Sequence, residues 1–500
     1  MKMLFPPPGI TLWRWILFLL APVVAAIIAL FMDLEPGKPA VTYTLAVAVF
    51  MALWWVAEVV PLAVTSLLPI VFFPLFGIMN GAEVSSTYFN HIIFLFIGGF
   101  VVALAIQKWN LHRRIALYIL KAVGTSPSRI LLGFLIATGF LSMWISNLAT
   151  TMLMLPIALS IIARLEDNND PETVRHFAIG LLLVIAYSAS IGGISTLVGT
   201  PPNLSFARIY QIYFPEREAV SFADWFFYAF PLSLMLFAFL YFFMKRLFVS
   251  KSRTWKSISG EQIRESYKAL GPVNYEEKVL LISFCVLACL WFFRADIVIG
   301  DFRIPGWSNL FSNPKFFNDG TSAVFIAILL FLIPSKQQKG TFIMDWKTAE
   351  DIPWEIILLF GGGFALATGF KESGLAEWFG HQLEFLKGVH PLVLILCITT
   401  MLTFLTELTS NTATAETFLP IMASIAVSVD ADPLLFMLPA TVAASLAFML
   451  PVATPPNAII FGTRRLEVHH MAKTGFTINF VGIFVVTLMT YFWGRLVFGL

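Results

Sequence analysis

Two short polar words stand inside long apolar stretches of the chain, Ser146-Asn147-Leu148-Ala149-Thr150 and Ser410-Asn411-Thr412-Ala413-Thr414. Each is followed downstream by a second word, Thr200-Pro201-Pro202-Asn203 and Thr454-Pro455-Pro456-Asn457. Another hydroxyl, Ser142 or Thr406, stands one turn before each Ser-Asn pair and so shares its helix face. Two equivalent oxygen clusters result, Ser142/Ser146/Asn147 near Gly199 and Thr406/Ser410/Asn411 near Ala453. Hydroxyl and amide oxygens, with carbonyls freed where a helix breaks, are uncharged ligands for a hard cation. Helix N-termini at the same breaks turn N–H groups and a positive dipole end towards an anion. Neither tip contains Lys or Arg; the nearest along the chain are Arg129 and Arg164 for the first and Lys387 for the second. An anion bound there needs bound alkali cations as its counter-charge, and that is the physical case for cation coupling.

The pattern is duplicated in register. Gly98 precedes Ser146 by 48 residues and Gly362 precedes Ser410 by the same 48, while Pro156 and Pro420 are 264 apart, like the Ser-Asn pairs. A single Ser-Asn or Pro-Pro in a membrane helix reads as packing or a kink. Two Gly/Pro-interrupted copies in corresponding positions point instead to the binding site of a secondary transporter.

Composition places these words in a bilayer. The chain is 58% hydrophobic and 12% charged, against about 25% charged residues in soluble proteins. The reading is an all-α polytopic membrane protein with about 11 transmembrane helices plus two re-entrant hairpins, each span taking about 20 apolar residues. Cys285, Cys289 and Cys397 lie in apolar runs and are expected as free, buried thiols. Lys2 and Arg14 before the apolar run to Phe31 imitate a signal peptide, but the run is long and a second follows at once, so it reads as an uncleaved helix.

The loops separate into Lys/Arg-rich and Lys/Arg-poor sets, which sets orientation. Residues 1–41 form an N-terminal helix starting in the cytoplasm. Residues 42–248 form a first repeat with helices near 42–59, 61–78 and 91–107, a cytoplasmic basic segment from Lys108 to Arg129, a hairpin at 129–164 and a broken helix at 177–213 interrupted by Gly199-Thr200-Pro201-Pro202, whose prolines remove backbone donors. The hairpin arms, about 15 residues long with basic residues at both ends, suit a segment whose tip stops near the midplane. Residues 249–276 read as a cytoplasmic linker. Residues 277–500 form a second repeat with a hairpin at 391–429 and a broken helix at 434–463; charge places this hairpin open to the exterior and the C-terminus outside. The same elements in opposite orientation make an inverted-topology repeat.

Other polar groups fit less sharply. Glu407 is an intramembrane carboxylate and functional by default, yet its first-half counterpart is Met143, so a functional and a structural role stay open. Arg208 reads as snorkelling towards the outer interface. His91, His112, His176 and His381 fit no metal spacing, and the many Phe and Trp suit lipid-facing surface. No Gly-x-Ser-x-Gly, His-Glu-x-x-His or paired-Asp pattern supports an intramembrane hydrolase, so the chain does not read as an enzyme. A channel would also use polar tips and is set apart only by saturable, coupled uptake.

On Ser-Asn-Thr at 410–412, its near copy at 146–148, the two Pro-Pro-Asn words and the Gly98-Gly99 and Gly361-Gly362-Gly363 segments, residues 42–498 resemble the divalent anion/sodium symporter family, which includes the sodium-coupled di- and tricarboxylate transporters. The resemblance implies an elevator-type homodimer in a bacterial inner membrane, with no nucleic-acid partner, that carries a C4-dicarboxylate of the succinate, malate or fumarate class with two or more Na⁺. It implies one sodium at Ser142, Ser146, Asn147 and Gly199, another at Thr406, Asn411 and Ala453, and substrate carboxylates at Asn147, Asn411, Thr412, Thr200 and Thr454. One departure is Leu148, where the family has threonine; it leaves Thr150 or Thr151 to substitute, or a less polar anion contact. Thr150 and Thr151 also stand where some exchangers of the family carry a basic residue, which leans towards sodium symport. Sodium-independent exchange and citrate or sulfate symport stay open as alternatives.

Overall fold

The computed structural model describes residues 11–249, 261–299 and 302–500. The start of the expected N-terminal segment with Lys2, and residues 250–260 of the expected linker, lie outside the described residues. The first half comprises α1 (Leu12–Phe31), α2 (Pro39–Ala57), α3 (Leu62–Thr65), α4 (Leu68–Leu75), α5 (Gly81–Thr87), α6 (His91–Lys108), α7 (Leu111–Val123), α8 (Pro127–Ser142), α9 (Asn147–Asn168), α10 (Pro171–Ile194), α11 (Pro201–Tyr213) and α12 (Phe222–Phe248). After α13 (Glu261–Ala269) the second half comprises α14 (Tyr275–Phe292), strands β1 (Ile297–Ile299) and β2 (Phe302–Ile304), α15 (Asp319–Leu332), α16 (Trp346–Ala349), α17 (Trp354–Ser373), α18 (Leu375–Gln382), α19 (Pro391–Leu405), α20 (Asn411–Ser428), α21 (Leu434–Ala443), α22 (Pro455–Phe461) and α23 (Val468–Leu488). A π-helical turn over Met489–Gly494 leads into α24 (Arg495–Phe498).

Among the described residues, eight helical stretches are long and apolar enough to cross a membrane, and five further apolar helices are shorter. The centre is α10, buried at every position from Phe177 to Ile194. A helix apolar on all sides asks for such a place. It packs against α8, α9, α12 and α22. Its approach to α8 is backbone against backbone, since a Cβ on Gly192 would fall 2.9 Å from the Cα of Gly139; small residues permit this closeness between membrane helices. In the second half α21 is likewise buried along its whole length. By contrast α1 buries only Ala21 and Ile28; one side half-buries Trp15, Leu17 and Phe18 and packs along α2, while Leu12, Ile16, Leu20, Val23 and Ile27 are exposed as a lipid-facing surface requires.

Several sequence expectations are corrected. The span expected at 61–78 is two pieces, α3 and α4, parted at Ser66, whose Oγ donates to the Leu62 carbonyl (2.8 Å) and accepts from Trp55 Nε1 (3.2 Å). The basic segment after Lys108 contains α7, and its Arg114 is buried in an ion pair to Glu277 (2.7 Å) and bonded to the carbonyls of Leu270 and Gly271. The fold is helical as expected, with one short antiparallel ribbon, β1 and β2, among the described residues. The three cysteines are free but exposed; an apolar run turned outward to lipid is exposed in the isolated chain, so apolar sequence did not imply burial. The second hairpin arms are also longer than about 15 residues, with 22 in α9 and 18 in α20, while α8 and α19 have 16 and 15.

Candidate functional site

The two Ser-Asn words sit at helix starts. Ser146 is the N-cap of α9, its Oγ accepting from the Ala149 N–H at 3.3 Å, and Ser410 is the N-cap of α20. Short polar side chains favour this position because they satisfy donors that have no intrahelical partner. Asn147 and Asn411 are thereby the first residues of the second arms. In each case the hydroxyl five residues back meets the asparagine amide: Ser142 Oγ donates to Asn147 Oδ1 at 2.6 Å, and Thr406 Oγ1 lies 2.8 Å from Asn411 Oδ1. Ser142 and Thr406 are both fully buried.

The helix breaks include the expected Gly199-Thr200 but extend further upstream of the prolines. α10 ends at Ile194 and α21 at Ala443, so the interruptions run over 195–200 and 444–454. Pro201-Pro202 and Pro455-Pro456 do not rupture a helix; they open α11 and α22, where a missing N–H costs nothing. The preceding threonines have nearly equal extended backbones, φ −145° and ψ 142° at Thr200 against φ −142° and ψ 152° at Thr454. Thr454 Oγ1 also accepts from the Asn457 N–H at 3.3 Å, whereas Thr200 makes no such cap.

The asparagines ending the Pro-Pro-Asn words hold the breaks in shape. Asn203 Nδ2 donates to the carbonyls of Gly193 (3.2 Å) and Thr196 (2.7 Å), and Asn457 Nδ2 donates to those of Ala447 (3.2 Å) and Leu450 (3.0 Å). Sequence reasoning quoted both residues but gave them no role; their place in a repeated word was the available signal.

Tip and break are joined in both halves by different chemistry at equivalent positions. In the first, Thr196 Oγ1 donates to the Met143 carbonyl at 2.6 Å. In the second, Glu407 stands where Met143 would be, and its carboxylate accepts from the N–H groups of Phe448 (2.7 Å), Met449 (2.8 Å) and Leu450 (3.0 Å) and from Asn479 Nδ2 (2.7 Å). Glu407 thus ties the tip of the second hairpin to the backbone of the second break. Arg208 lies half-buried on α11 with its Nε unpartnered, and no salt bridge to it is formed among the described residues.

The first cluster closes around glycine. A Cβ on Gly193 would fall 2.6 Å from Asn147 Oδ1 and 3.0 Å from the Gly199 carbonyl, so Asn147 and Gly199 meet across Gly193. Ser142, Asn147 and Gly199 are therefore together, while Ser146 turns its oxygen to its own helix. In the second cluster Thr406 Oγ1 is also 2.8 Å from the Ala444 carbonyl, and Ala453 sits in the same break with its N–H on Leu450. Thr412 is buried next to Asn411.

The halves are interleaved. α11, which follows the first break, packs along α20, and α22, which follows the second, packs along α9 and α10. Each break therefore delivers its helix to the other half's hairpin. Buried oxygens without partners collect here: Thr150, Ser190, Ser195 and Asn203 Oδ1 in the first half, Ser445 and Asn457 Oδ1 in the second. Polar atoms left this way at membrane depth cost free energy unless a ligand or water meets them. Thr151, by contrast, is spent on the Asn147 carbonyl at 2.8 Å. Leu148 is 43% exposed, beside Met152 at 59%, so the first tip presents an apolar edge.

The family model for the sodium:sulfate symporter transmembrane region matches residues 12–500. The sodium-dependent dicarboxylate transporter SdcS of Staphylococcus saprophyticus is 46% identical over 457 residues, covering 90% of this chain and 85% of that protein. The protein of the same name from Staphylococcus aureus is 43% identical over 465 residues, covering 92% and 87%. Among solved structures, the YdaH transporter of Alcanivorax borkumensis aligns with a TM-score of 0.52 at 11% identity over 83% of this chain and 90% of its own. MtrF of Neisseria gonorrhoeae, described within a class of antimetabolite efflux pumps, aligns at 0.53 with 13% identity over 94% and 97%. At such identities the likeness is one of fold.

Proposed function

The chain belongs to the divalent anion/sodium symporter family, and on that premise we propose that it is a secondary active transporter moving a C4-dicarboxylate with Na⁺ across a bacterial inner membrane. The observation that carries this reading is the pair of neutral oxygen clusters built twice on the same plan. Ser142 Oγ with Asn147 Oδ1, and Thr406 Oγ1 with Asn411 Oδ1, are held at hydrogen-bond separation. Rotating either hydroxyl proton away leaves two lone pairs facing one point, with the Gly199 carbonyl and the carbonyls of the second break around Ala453 as further hard ligands. Two small cations bound this way supply the charge that a dianion lacks in a site without Lys or Arg. The carboxylates then meet Asn147, Asn411, Thr412, Thr200 and Thr454, and the N-termini of α9, α11 and α20 favour negative charge. The relatives' names, sodium-dependent dicarboxylate transporters, support the same substrate and coupling ion.

In this reading α8–α9 and α19–α20 are re-entrant hairpins entering from opposite sides, the N-terminus is cytoplasmic and the C-terminus outside. The interleaving of α11 with α20 and of α22 with α9 favours one body that carries both clusters together, as an elevator requires, against a scaffold that forms a homodimer. Thr150-Thr151 in place of a basic residue favours symport over exchange.

The test is uptake of radiolabelled succinate into proteoliposomes under an inward Na⁺ gradient, with choline replacing Na⁺ in the control and unlabelled malate, fumarate, citrate and sulfate as competitors. Symport predicts uptake that saturates and collapses in choline. Counter-flow that persists in choline would overturn it in favour of exchange.

A further inference from the structure

One buried carboxylate has no part in either cluster. Glu416, on α20, is fully buried. Its Oε1 lies 2.5 Å from Ser205 Oγ on α11, and its Oε2 has no hydrogen-bond partner. The acid is packed against the α17 backbone, for a Cβ on Gly363 would overlap the carboxyl group, 2.7 Å from Glu416 Cγ. Its first-half counterpart, 264 residues back, is the exposed Met152, so the acid is an addition to the repeated set.

No base stands by to balance a negative charge. On the elements packed against α20, the charged and titratable groups are Arg208, Tyr210 and Tyr213 on α11, Glu355, Lys371 and Glu372 on α17, Glu377 and His381 on α18, and Tyr43 on α2; α21 and α20 itself contribute no other. None of these is hydrogen-bonded or ion-paired to Glu416, and Lys371 is engaged with the Ile212 carbonyl at 2.7 Å. A bare carboxylate in such a place is costly. An alkali ion does not fit, because hard cations gather several oxygens and here Ser205 Oγ is the one hydrogen-bonding oxygen among the described residues, with glycine backbone on the other side.

The hydrogen bonds need one more proton than serine has. Ser205 Oγ is also 3.4 Å from the Pro201 carbonyl, which can only accept. One hydroxyl proton cannot serve both contacts. Both are satisfied when Glu416 donates its own proton to Ser205 Oγ and Ser205 donates onward to Pro201 O.

We infer that Glu416 holds a proton that fastens α11 to α20, so that Na⁺-coupled transport by this chain also depends on a proton bound between its two halves. The inference rests on the transporter reading above, because Pro201 adjoins Thr200 and the proton thus steadies the helix start offered to the substrate. Losing it leaves a buried charge beside Gly363 and loosens α11.

Two measurements test it. Initial uptake is followed in proteoliposomes with equal pH inside and out, from about pH 7 to about pH 9, where the substrate stays a dianion. Wild type is expected to lose rate with rising pH, approaching about tenfold per pH unit above the titration point of a single proton site, while Glu416→Gln, whose amide always donates, changes by less than about twofold. Parallel profiles for the two proteins would overturn the proposal. Infrared spectra of the purified proteins decide it independently of activity: wild type shows a protonated-carboxyl C=O band that Glu416→Gln removes and Ser205→Ala, which keeps the acid but not its acceptor, shifts to higher frequency. A spectrum that neither substitution changes would also overturn it. Absence of Na⁺-dependent uptake by the wild type defeats the transporter reading while leaving the infrared result to judge the proton.

Discussion

Asn203 and Asn457 make the same hydrogen bonds 254 residues apart, the Nδ2 of each reaching the carbonyls ten and seven positions upstream. The hairpin tips repeat at 264 residues instead, so the Pro-Pro-Asn word lies ten residues closer to its tip in the second half than in the first. The breaks are nonetheless closed alike, because an interrupted helix frees carbonyls and a primary amide one helix turn inside the next segment is well placed to satisfy two of them.

Replacing either asparagine by alanine removes the amide donor from both carbonyls; Thr196 and Leu450 keep a backbone N–H, from Gly199 and Ala453, while the bonds to Gly193 and Ala447 are lost outright. The expected loss is about 1–3 kcal/mol for each variant, the cost of an unmade buried hydrogen bond. Thermal unfolding of the purified protein in detergent reads it, and unchanged stability in both variants would refute the role.

Asn147→Ala and Asn411→Ala are expected to abolish Na⁺-driven uptake while the protein still elutes as a folded species. In the proposed site each asparagine contributes an oxygen to one cluster and a contact to the substrate. Normal transport by either variant would remove the assignment of both clusters.

Glu407→Ala withdraws the acceptor from three successive backbone N–H groups and from Asn479. A loss of about 3 kcal/mol is expected, since hydrogen bonds to a charged acceptor are among the stronger ones. The loss should be the same with and without Na⁺. A destabilisation that appears only in Na⁺ would instead make Glu407 part of an ion site.

Leu148→Thr adds a hydroxyl at the exposed edge of the first tip. Michaelis constants for succinate and malate should separate, with malate improved by about threefold relative to succinate if the new donor meets its hydroxyl, as one modest hydrogen bond allows. Equal effects on both substrates would place residue 148 outside the site.

Asp345, outside the spans, caps α16 and pairs with Lys108 at the end of α6 at 2.5 Å. The Lys108 bond first, and then the Thr348 N–H, hold its carboxyl below the ordinary carboxylate range. A group depressed in the folded state stabilises at pH above its unfolded titration point and loses that contribution as pH falls through the folded one. The melting-temperature difference between wild type and Asp345→Asn should therefore be constant around neutrality and vanish in acid. A difference that grows on acidification would contradict the pairing.

The membrane class, the family, the duplicated plan and the residues of both tips were legible in the order of amino acids. Bilayer composition, the spacing of Ser142 to Asn147 and Thr406 to Asn411, and the Pro-Pro-Asn words are all local in sequence, and helix geometry turns such spacing into a shared face. What the chain order could not supply was how far each break runs upstream of its prolines, over 195–200 and 444–454, because helix ends are decided by where carbonyls find donors and not by where donors are missing. It also could not supply partners distant in sequence. Glu407 on the 448–450 backbone, Ser205 on Glu416 and the interleaving of α11 with α20 join residues 41, 211 and some 210 positions apart. Nor could it tell a thiol facing lipid from one in the core, because an apolar run is compatible with both. Only packing in three dimensions selects among such arrangements, since every buried polar group at membrane depth takes whatever partner the fold brings to it.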